Sequence, residues 1–195
     1  MRQNFIIIPK IISKYKDQYE YSIEISLIKF LNFCFKNCKI KIFTKNQKYR
    51  NNDIFILSGG NNILKFSKNK SDRLRNQIDE IAYKTAVKNK SKIIGICHGA
   101  HFIASKNNAK INKIKRHTQS HIVELGGKKI KVNSFHNYGI FKVNFNDEVK
   151  AVAQDGSIEM FLNLKKKYIG IMWHPERNRK FRKIDKQIFN NFICN

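Results

Sequence analysis

The sequence predicts an α/β fold with a mostly parallel central sheet and a hairpin-rich antiparallel section in its C-terminal half. Strand-length apolar runs alternate with amphipathic helical segments up to residue 106, which places helices on both faces of a parallel sheet. From about residue 120, short strand patterns follow one another and are joined by Gly-Gly and Asp-Gly turns. The length of 195 residues suits one domain, which we expect to span 1–195.

The first half of the chain carries the alternating pattern. Its predicted strands are 5–8, 39–43, 54–57 and 93–97. Its predicted helices are 21–35, a second that opens at Ser71 with Leu74, Ile78 and Ile81 on one face, and a third that begins after Gly99. This order is typical of crossover connections between parallel strands.

The second half is predicted to consist mainly of short strands. They are 121–125, 129–132, 149–154, 157–164 and 168–172. A closing amphipathic helix is predicted from four apolar residues at helical spacing, Phe181, Ile184, Ile188 and Phe192. The segment 112–120 has the most loop-like composition.

The chain is strongly basic, with 39 Lys and Arg residues against 14 Asp and Glu residues and a formal net charge of +25. A charge of this size attracts phosphates, nucleic acid or anionic lipid. The alternative is compositional, because the lysines are scattered and Ile, Asn and Phe are also abundant, as in proteins from A/T-biased genomes. No RNA- or DNA-binding motif is present, so a nucleic-acid-binding protein is the less supported class and no nucleic-acid partner is expected.

The sequence also bears on compartment and cofactors. Residues 5–8 form only a strand's worth of apolar sequence before Pro9, which predicts neither a signal peptide nor a membrane span. We therefore expect a cytoplasmic protein with no membrane partner. The four cysteines then favour reduced thiols over a disulfide framework. The sequence predicts no cofactor and assigns no oligomeric state.

Two histidine pairs have spacings that could bind a metal, His117 with His121 and His98 with His101. Acidic ligands are missing beside them, and the first pair falls in a predicted loop. Solvated or substrate-facing histidines are the preferred interpretation, so the sequence predicts no metal site.

The stretch "GICHGAH" (95–101) places a cysteine at the end of a predicted strand and between two glycines. A strand–turn–helix at Cys97 sets the thiol at a helix N-terminus, which stabilises a thiolate. Of the six histidines, His174 has a carboxylate two residues on, in "GIMWHPER". Pro175 holds this segment extended, so Glu176 can orient the imidazole. We therefore predict a catalytic triad of Cys97, His174 and Glu176.

An acyl-transfer nucleophile also needs donors for the oxyanion of its tetrahedral intermediate. The candidates are the backbone N–H groups of Gly59 or Gly60, in "LSGG", and of His98, directly after the nucleophile. With these donors the sequence holds the set of groups that acyl transfer by a cysteine requires.

Five stretches together resemble the class I glutamine amidotransferases. "GICHGAH" resembles their nucleophile elbow, "GIMWHPE" their histidine–glutamate motif, and "LSGG" the loop that completes their oxyanion hole. "VNSFHNYG" and "AVAQDGSIEMF" resemble the γ-glutamyl hydrolase branch (peptidase C26-like proteins), which reads Asn-Ser-x-His and Asp-Gly-x-Ile-Glu there. The resemblance covers 57–177 in the family's order and implies a flavodoxin-like three-layer sandwich in a single amidotransferase-like domain. From the residues alone, Asp155 is expected to be a turn residue, and Glu159 could face either the site or solvent.

The resemblance also implies four substrate-binding residues, His101, Ser134, Phe135 and His136. Of these, Ser134 and Phe135 are expected to hold the glutamyl α-amino and α-carboxylate groups. His101 stands where the family usually has a glutamine that contacts the γ-glutamyl moiety. His98 stands where arginine is common, and its side chain is a candidate for reading the leaving group.

The implied activity is hydrolysis of a γ-glutamyl amide to glutamate and an amine through a γ-glutamyl thioester. The basic chain with "YEYSIEISLIKFL" is similar to the γ-glutamyl-CDP-amidate hydrolases of capsule phosphoramidate biosynthesis, whose diphosphate substrate suits a positive charge. The alternatives are γ-glutamyl-aminobutyrate or γ-glutamyl-polyamine hydrolysis, and a glutaminase subunit that delivers ammonia to a synthetase. The expected partner is a small γ-glutamyl conjugate that bears phosphate, steered by basic residues such as Lys10, Arg116 and the histidines of 112–121.

Overall fold

The structure, a computed structural model, describes residues 3–114 and 117–194. Its strands are β1 (Asn4–Ile8), β2 (Lys10–Tyr15), β3 (Gln18–Ser22), β4 (Lys39–Ile42), β5 (Ile54–Leu57), β6 (Lys92–Ile96), β7 (Lys110–Lys113), β8 (His121–Leu125), β9 (Lys128–Val132), β10 (Tyr138–Lys142), β11 (Glu148–Ala153), β12 (Ile158–Asn163) and β13 (Tyr168–Ile171). Its helices are α1 (Ile25–Cys34), α2 (Lys70–Lys88), α3 (His98–Lys106) and α4 (Lys183–Cys194), with a short 3₁₀ helix at Pro175–Arg177.

The centre of the fold is a sheet whose first five strands run parallel in the order β4, β1, β5, β6, β13. Every residue of β5 and β13 is buried, as expected for parallel strands with both faces covered. The sheet continues antiparallel from β13 through β12, β11, β8 and β9, while β10 pairs with β12 and β7. The predicted α/β class, with a parallel core and an antiparallel C-terminal section, is confirmed.

Apolar side chains that alternate along the strands supply two cores, one on each face of the sheet. Phe5 and Ile7 pack with residues of α1 and α4, including Phe30 and Phe189. Ile6, Ile8 and their neighbours pack instead with residues of α2 and α3, such as Ile78, Ala82, Ala100 and Ile103. The period of two along β1 thus produces the three layers, helices–sheet–helices, that the sequence predicted.

Three predicted boundaries differ from the structure. The helix expected at 21–35 begins only at Ile25, because 18–22 pairs with β2 as the second strand of a separate hairpin. The third helix begins at His98, directly after the cysteine and not after Gly99. The segment expected to be most loop-like contains the end of β7, which pairs with β10. Local composition did not show the pairing of β2 with β3 or of β7 with β10, because the partners are distant in the chain or have apolar patterns that fit both a helix and a strand.

Among the residues that the structure describes, no helix is long and apolar enough to cross a membrane.

Candidate active site

The cysteine at the end of β6 sits at a sharp corner of the backbone. Cys97 has φ 50° and ψ −96°, a left-handed conformation that is strained for a residue with a side chain. Its N–H donates to the Ile171 carbonyl at 2.7 Å, and its carbonyl accepts the His101 N–H at 3.0 Å. These bonds fix Cys97 between the sheet and the first turn of α3. The predicted strand–turn–helix is therefore present at this thiol.

The two glycines around the thiol allow α3 to lie close to the sheet. A Cβ at Gly99 would lie 2.1 Å from the Leu57 carbonyl oxygen on β5, and a Cβ at Gly95 would lie 2.5 Å from the Gly99 backbone. Contacts this short cannot be relieved by moving a flexible side chain, because the obstructing atoms are backbone. Gly95 and Gly99 thus serve close packing, while the strained φ belongs to Cys97 itself.

The base lies at the carboxyl end of the neighbouring strand. β13 and β6 are parallel neighbours, with Ile171 opposite Ile96, so the segments that follow them emerge at the same edge of the sheet. His174 follows β13, and its Nδ1 donates to Glu176 Oε1 at 2.6 Å. The structure thus forms the predicted His–Glu pair at the edge of the sheet where Cys97 lies.

Asn133 clamps the backbone of His174, a contact that the sequence reasoning missed. Its Oδ1 accepts the His174 N–H at 2.8 Å, and its Nδ2 donates to the His174 carbonyl at 2.7 Å. The only signal available was the neighbouring Ser134 and Phe135 in the "NSF" stretch. These two hydrogen bonds hold the backbone of His174 in place.

The charge state of His174 follows from its neighbours. Burial alone would lower the pKa of the imidazole, but attraction to and hydrogen bonding with Cys97, followed by the hydrogen bond to Glu176, raise the pKa to about 9. The imidazole is therefore protonated at neutral pH, beside the Cys97 sulfur. A thiolate–imidazolium pair is the reactive form of a cysteine nucleophile.

The "LSGG" loop lies against the catalytic imidazole. A Cβ at Gly59 would lie 2.4 Å from His174 Cε1, so only glycine fits there. Gly60 has φ +128° and packs on the Lys10 side chain. The His98 N–H belongs to the first turn of α3, whose leading N–H groups have no intrahelical acceptor. Gly59, Gly60 and His98 thus flank the triad, and their role as oxyanion donors stays a prediction.

Buried charges hold the "LSGG" loop and helix α3 together. His98 Nε2 lies 2.7 Å from Asp79 Oδ2, and Asp79 also accepts from Arg75 Nε at 2.9 Å. Arg75 in turn donates to the Ser58 carbonyl, directly before Gly59, at 2.8 Å. This network, which the sequence reasoning missed, commits the His98 ring to α2. A role for that ring in reading the leaving group therefore has no support in this geometry.

The four residues expected to bind substrate occupy different positions. Phe135 is 52 % exposed, and its ring stands edge-on to His174 at 5.4 Å between centroids. Ser134 is buried and donates to the His117 carbonyl. His101 is buried with its Nε2 donating to the Tyr138 carbonyl at 3.0 Å, and burial first, then His136, lowers its pKa to about 3. Of the four, Phe135 is the one that contacts the triad.

The ring of His136, the fourth of these residues, lies beside the ring of His101, with 6.0 Å between the centroids. Its Nδ1 donates to the Tyr138 carbonyl at 2.9 Å. Arg116, a candidate for substrate steering, lies outside the described residues. Lys10, the other named candidate, lies beside the oxyanion loop.

Known proteins resemble this chain in sequence and in fold. The Peptidase C26 family model matches residues 100–176, which include His174 and Glu176. A gamma-glutamyl-CDP-amidate hydrolase of Campylobacter jejuni subsp. jejuni serotype O:2 is 33% identical over 129 residues, which are 66% of this chain and 64% of that protein. The match thus spans slightly less than two thirds of that relative.

Two solved structures share the fold. A protein of Thermoplasma acidophilum, named as a candidate GMP synthase subunit, superposes with a TM-score of 0.71 at 19% identity, over 100% of this chain and 94% of the other. A glutamine amidotransferase from Thermotoga maritima superposes with a TM-score of 0.64 at 14% identity, over 97% of this chain and 83% of the other. The chain therefore shares the fold of these two proteins.

The titration of His174 tests the site without a substrate. We expect its Cε1 proton to titrate by NMR near pH 9, with the imidazolium present below that pH and lost above it. Glu176→Gln removes a carboxylate that raises the pKa, so the midpoint should shift to lower pH. Cys97→Ala should shift it in the same direction. A midpoint near the ordinary value of about 6.5, unchanged in both variants, would contradict the ion pair.

Proposed function

We propose that the chain is a member of the class I glutamine amidotransferase-like family and that it hydrolyses a γ-glutamyl amide to L-glutamate and a free amine or amidate. The observation that carries this proposal is the site geometry, in which a strained Cys97 at a helix N-terminus faces an imidazole held by Glu176 at 2.6 Å. The curated relative named as a hydrolase supports the same reaction.

Each triad residue has one chemical role in this proposal. The Cys97 thiolate attacks the γ-carbonyl carbon, and the resulting oxyanion is held by the backbone N–H groups of His98 and of the Gly59–Gly60 loop. Protonated His174 then gives its proton to the leaving nitrogen as the C–N bond breaks, which leaves a γ-glutamyl thioester. Neutral His174 next takes a proton from water, whose oxygen attacks the thioester and releases glutamate and the thiolate.

The proposed substrate is γ-glutamyl-CDP-amidate, which would release cytidine diphosphoramidate, the reaction that fits the capsule phosphoramidate role implied by the sequence resemblance. Support comes from the identity to the curated relative and from cations beside the site. Arg177 stacks 4.8 Å over Phe135, and Lys10 packs on the oxyanion loop. Both pair with Glu24, whose pKa is lowered to about 2, chiefly by the Arg177 hydrogen bond. These two cations against one carboxylate leave a net positive rim, which favours a phosphate-bearing leaving group.

A glutaminase subunit that supplies ammonia to a synthetase is the second candidate. One observation favours it, since the Thermoplasma acidophilum structure with this fold is named as a synthase subunit. Hydrolysis of γ-glutamyl-aminobutyrate or γ-glutamyl-polyamine uses the same triad, but those leaving groups make less use of a positive rim.

Substitution of the triad tests the chemistry. Cys97→Ala and Cys97→Ser should abolish glutamate release from γ-glutamyl-CDP-amidate, and His174→Ala should be nearly as damaging, because the covalent route is lost. Glu176→Gln should cost less, since the base survives without its orienting partner. Circular dichroism controls for folding. Activity of Cys97→Ala within about tenfold of wild type would refute the assignment.

The preference for a conjugate over glutamine separates the hydrolase from the synthetase subunit. The isolated protein should release glutamate from its γ-glutamyl conjugate with no added protein, and glutamine should be a poor substrate. The measurement is kcat/KM for both compounds, with and without a purified synthetase that uses ammonia from a glutaminase subunit. If glutamine hydrolysis rises by orders of magnitude when the synthetase is added, the subunit function replaces the hydrolase.

Salt dependence tests the phosphate-bearing leaving group. The Debye length falls from roughly 10 Å at 0.1 M salt to about 3 Å at 1 M, so KM for γ-glutamyl-CDP-amidate should rise while kcat changes little. An uncharged γ-glutamyl amide should show a flatter curve. Lys10→Met should flatten the first curve, whereas Lys41→Met on the edge strand β4 should not. If KM rises equally with salt for both substrates, the positive charge plays no part in recognising the leaving group.

A further inference from the structure

A second cluster of titratable side chains lies outside the triad. Three histidines surround the carboxylate of Glu159 on β12, a side chain that is 0 % exposed. His117 Nδ1 lies 3.4 Å from Glu159 Oε1, His136 Nε2 lies 3.6 Å from the same oxygen, and His121 Nε2 lies 3.5 Å from Oε2. His117, His136 and Glu159 present ligand atoms that all lie within 4.8 Å of one another.

The nitrogens and oxygens that face each other in this cluster form no hydrogen bonds. Within the described part of the chain, no hydrogen-bond partner is found for His117 Nδ1, His121 Nε2, His136 Nε2 or either carboxylate oxygen of Glu159. Buried polar atoms are nearly always paired, and a buried carboxylate without a partner is costly. Several unpaired atoms that converge on one point indicate a missing positive group.

Contacts on the outer side of the rings set which nitrogens carry protons. His136 Nδ1 faces the Tyr138 carbonyl at 2.9 Å, and a carbonyl only accepts, so this nitrogen carries the proton. His117 Nε2 faces Asp155 Oδ2 at 3.0 Å. Asp155 is held as a carboxylate by Ser157, which donates to its other oxygen from both N–H and hydroxyl. In neutral rings the lone pairs of His117 Nδ1 and His136 Nε2 therefore point toward Glu159.

Lone pairs that point at a carboxylate repel it unless a cation lies between them. Metal-binding histidines typically donate the other ring N–H to a carboxylate or a backbone carbonyl, as His117 and His136 do here. With zinc–ligand bonds of about 2.0 to 2.2 Å, two tetrahedral ligands lie about 3.3 to 3.6 Å apart. The distances from Glu159 Oε1 to His117 Nδ1 and to His136 Nε2, 3.4 and 3.6 Å, fit this spacing. His121 Nε2 lies beside the other carboxylate oxygen.

We propose that His117, His136 and Glu159 form a binding site for a divalent transition metal, with zinc as the best match to this donor set. Two imidazoles and one carboxylate are ligands that zinc accepts. The site is buried and filled by side chains, which is typical of a structural metal. It replaces the sequence-level expectation of no metal, which rested on the absence of a nearby acidic ligand.

The metal would connect the segment that begins at His117 to the loop that holds the catalytic histidine. The His117 carbonyl accepts from the Ser134 hydroxyl and from the His136 N–H. Between the site and the triad lie Asn133, which clamps His174, and Phe135, which contacts its ring. A cation at Glu159 therefore stabilises the loop that positions the base, and it takes no part in the acyl-transfer steps.

The test measures zinc binding to the full chain in a Cys97→Ala background, which removes the thiolate as a competing ligand. After EDTA has removed bound metal and dialysis has removed the EDTA, zinc added back should bind at about one equivalent per chain, as measured by elemental analysis and by competition with a chromophoric chelator. Cobalt should bind with tetrahedral d–d bands and no thiolate charge-transfer band. Zinc at about 100 times its Kd should raise the Tm by about 5 to 10 °C.

Variants decide whether the cluster holds the metal. Glu159→Gln and His136→Ala should abolish stoichiometric zinc, while His101→Gln, which removes a neighbouring buried imidazole outside the donor set, should retain it. Asp155→Asn places a donor opposite His117 Nε2 and turns its tautomer, so zinc affinity should fall about 10- to 100-fold. Asp155 is partly exposed, so this variant remains informative if Glu159→Gln does not fold.

Two results would overturn the proposal. One is the absence of stoichiometric zinc and cobalt binding in the parent protein, in which case protons alone balance the Glu159 charge. The other is zinc affinity unchanged by both Asp155→Asn and Glu159→Gln, which would place the metal elsewhere on the chain.

Discussion

The left-handed backbone of Cys97 is the constraint around which the site is built. A strained conformation persists only where the surrounding structure determines it from several sides. Here the sheet fixes the residue through the Ile171 carbonyl, and α3 fixes it through the first helical hydrogen bond. Helix α3 can lie this close to the sheet only because Gly99 leaves room for the Leu57 carbonyl. The contacts that hold this strained conformation therefore also keep the thiol at the helix N-terminus.

Buried charge holds the remaining groups in place around that thiol. Arg75 on α2 donates to the Ser58 carbonyl and to Asp79, and Asp79 contacts His98 on α3, so these buried charges join the "LSGG" loop to α3. His98 shares Asp79, and interactions with Arg75 and His98, against the cost of burial, lower the pKa of that carboxyl. Removing one member would leave a buried charge unpaired, which costs more than the pair contributes. The network therefore positions catalytic groups and touches no substrate.

Structural features formed by residues close together in the chain were predictable from the sequence. Features formed by residues far apart in the chain were not. The corner at Cys97 and the pair His174–Glu176 were predictable because glycines, a strand pattern and a proline lie within a few residues of them. Asn133 was missed because its bonds to His174 span 41 residues. The histidine cluster was missed for the same reason, since its carboxylate comes from β12 and not from the histidine-rich segment. The predicted start of α1 was wrong because the sequence of residues 18–22 fits both a helix and a strand.

We expect Cys97 to carry the γ-glutamyl group during turnover, and this intermediate can be trapped. Wild-type protein mixed with its γ-glutamyl conjugate and quenched rapidly in acid is digested and analysed by mass spectrometry. The peptide containing Cys97 should gain the mass of one γ-glutamyl group, hydroxylamine should remove this mass, and Cys97→Ala should never acquire it. Turnover with an unmodified Cys97 peptide, or a γ-glutamyl group on another side chain, would rule out Cys97 as the nucleophile.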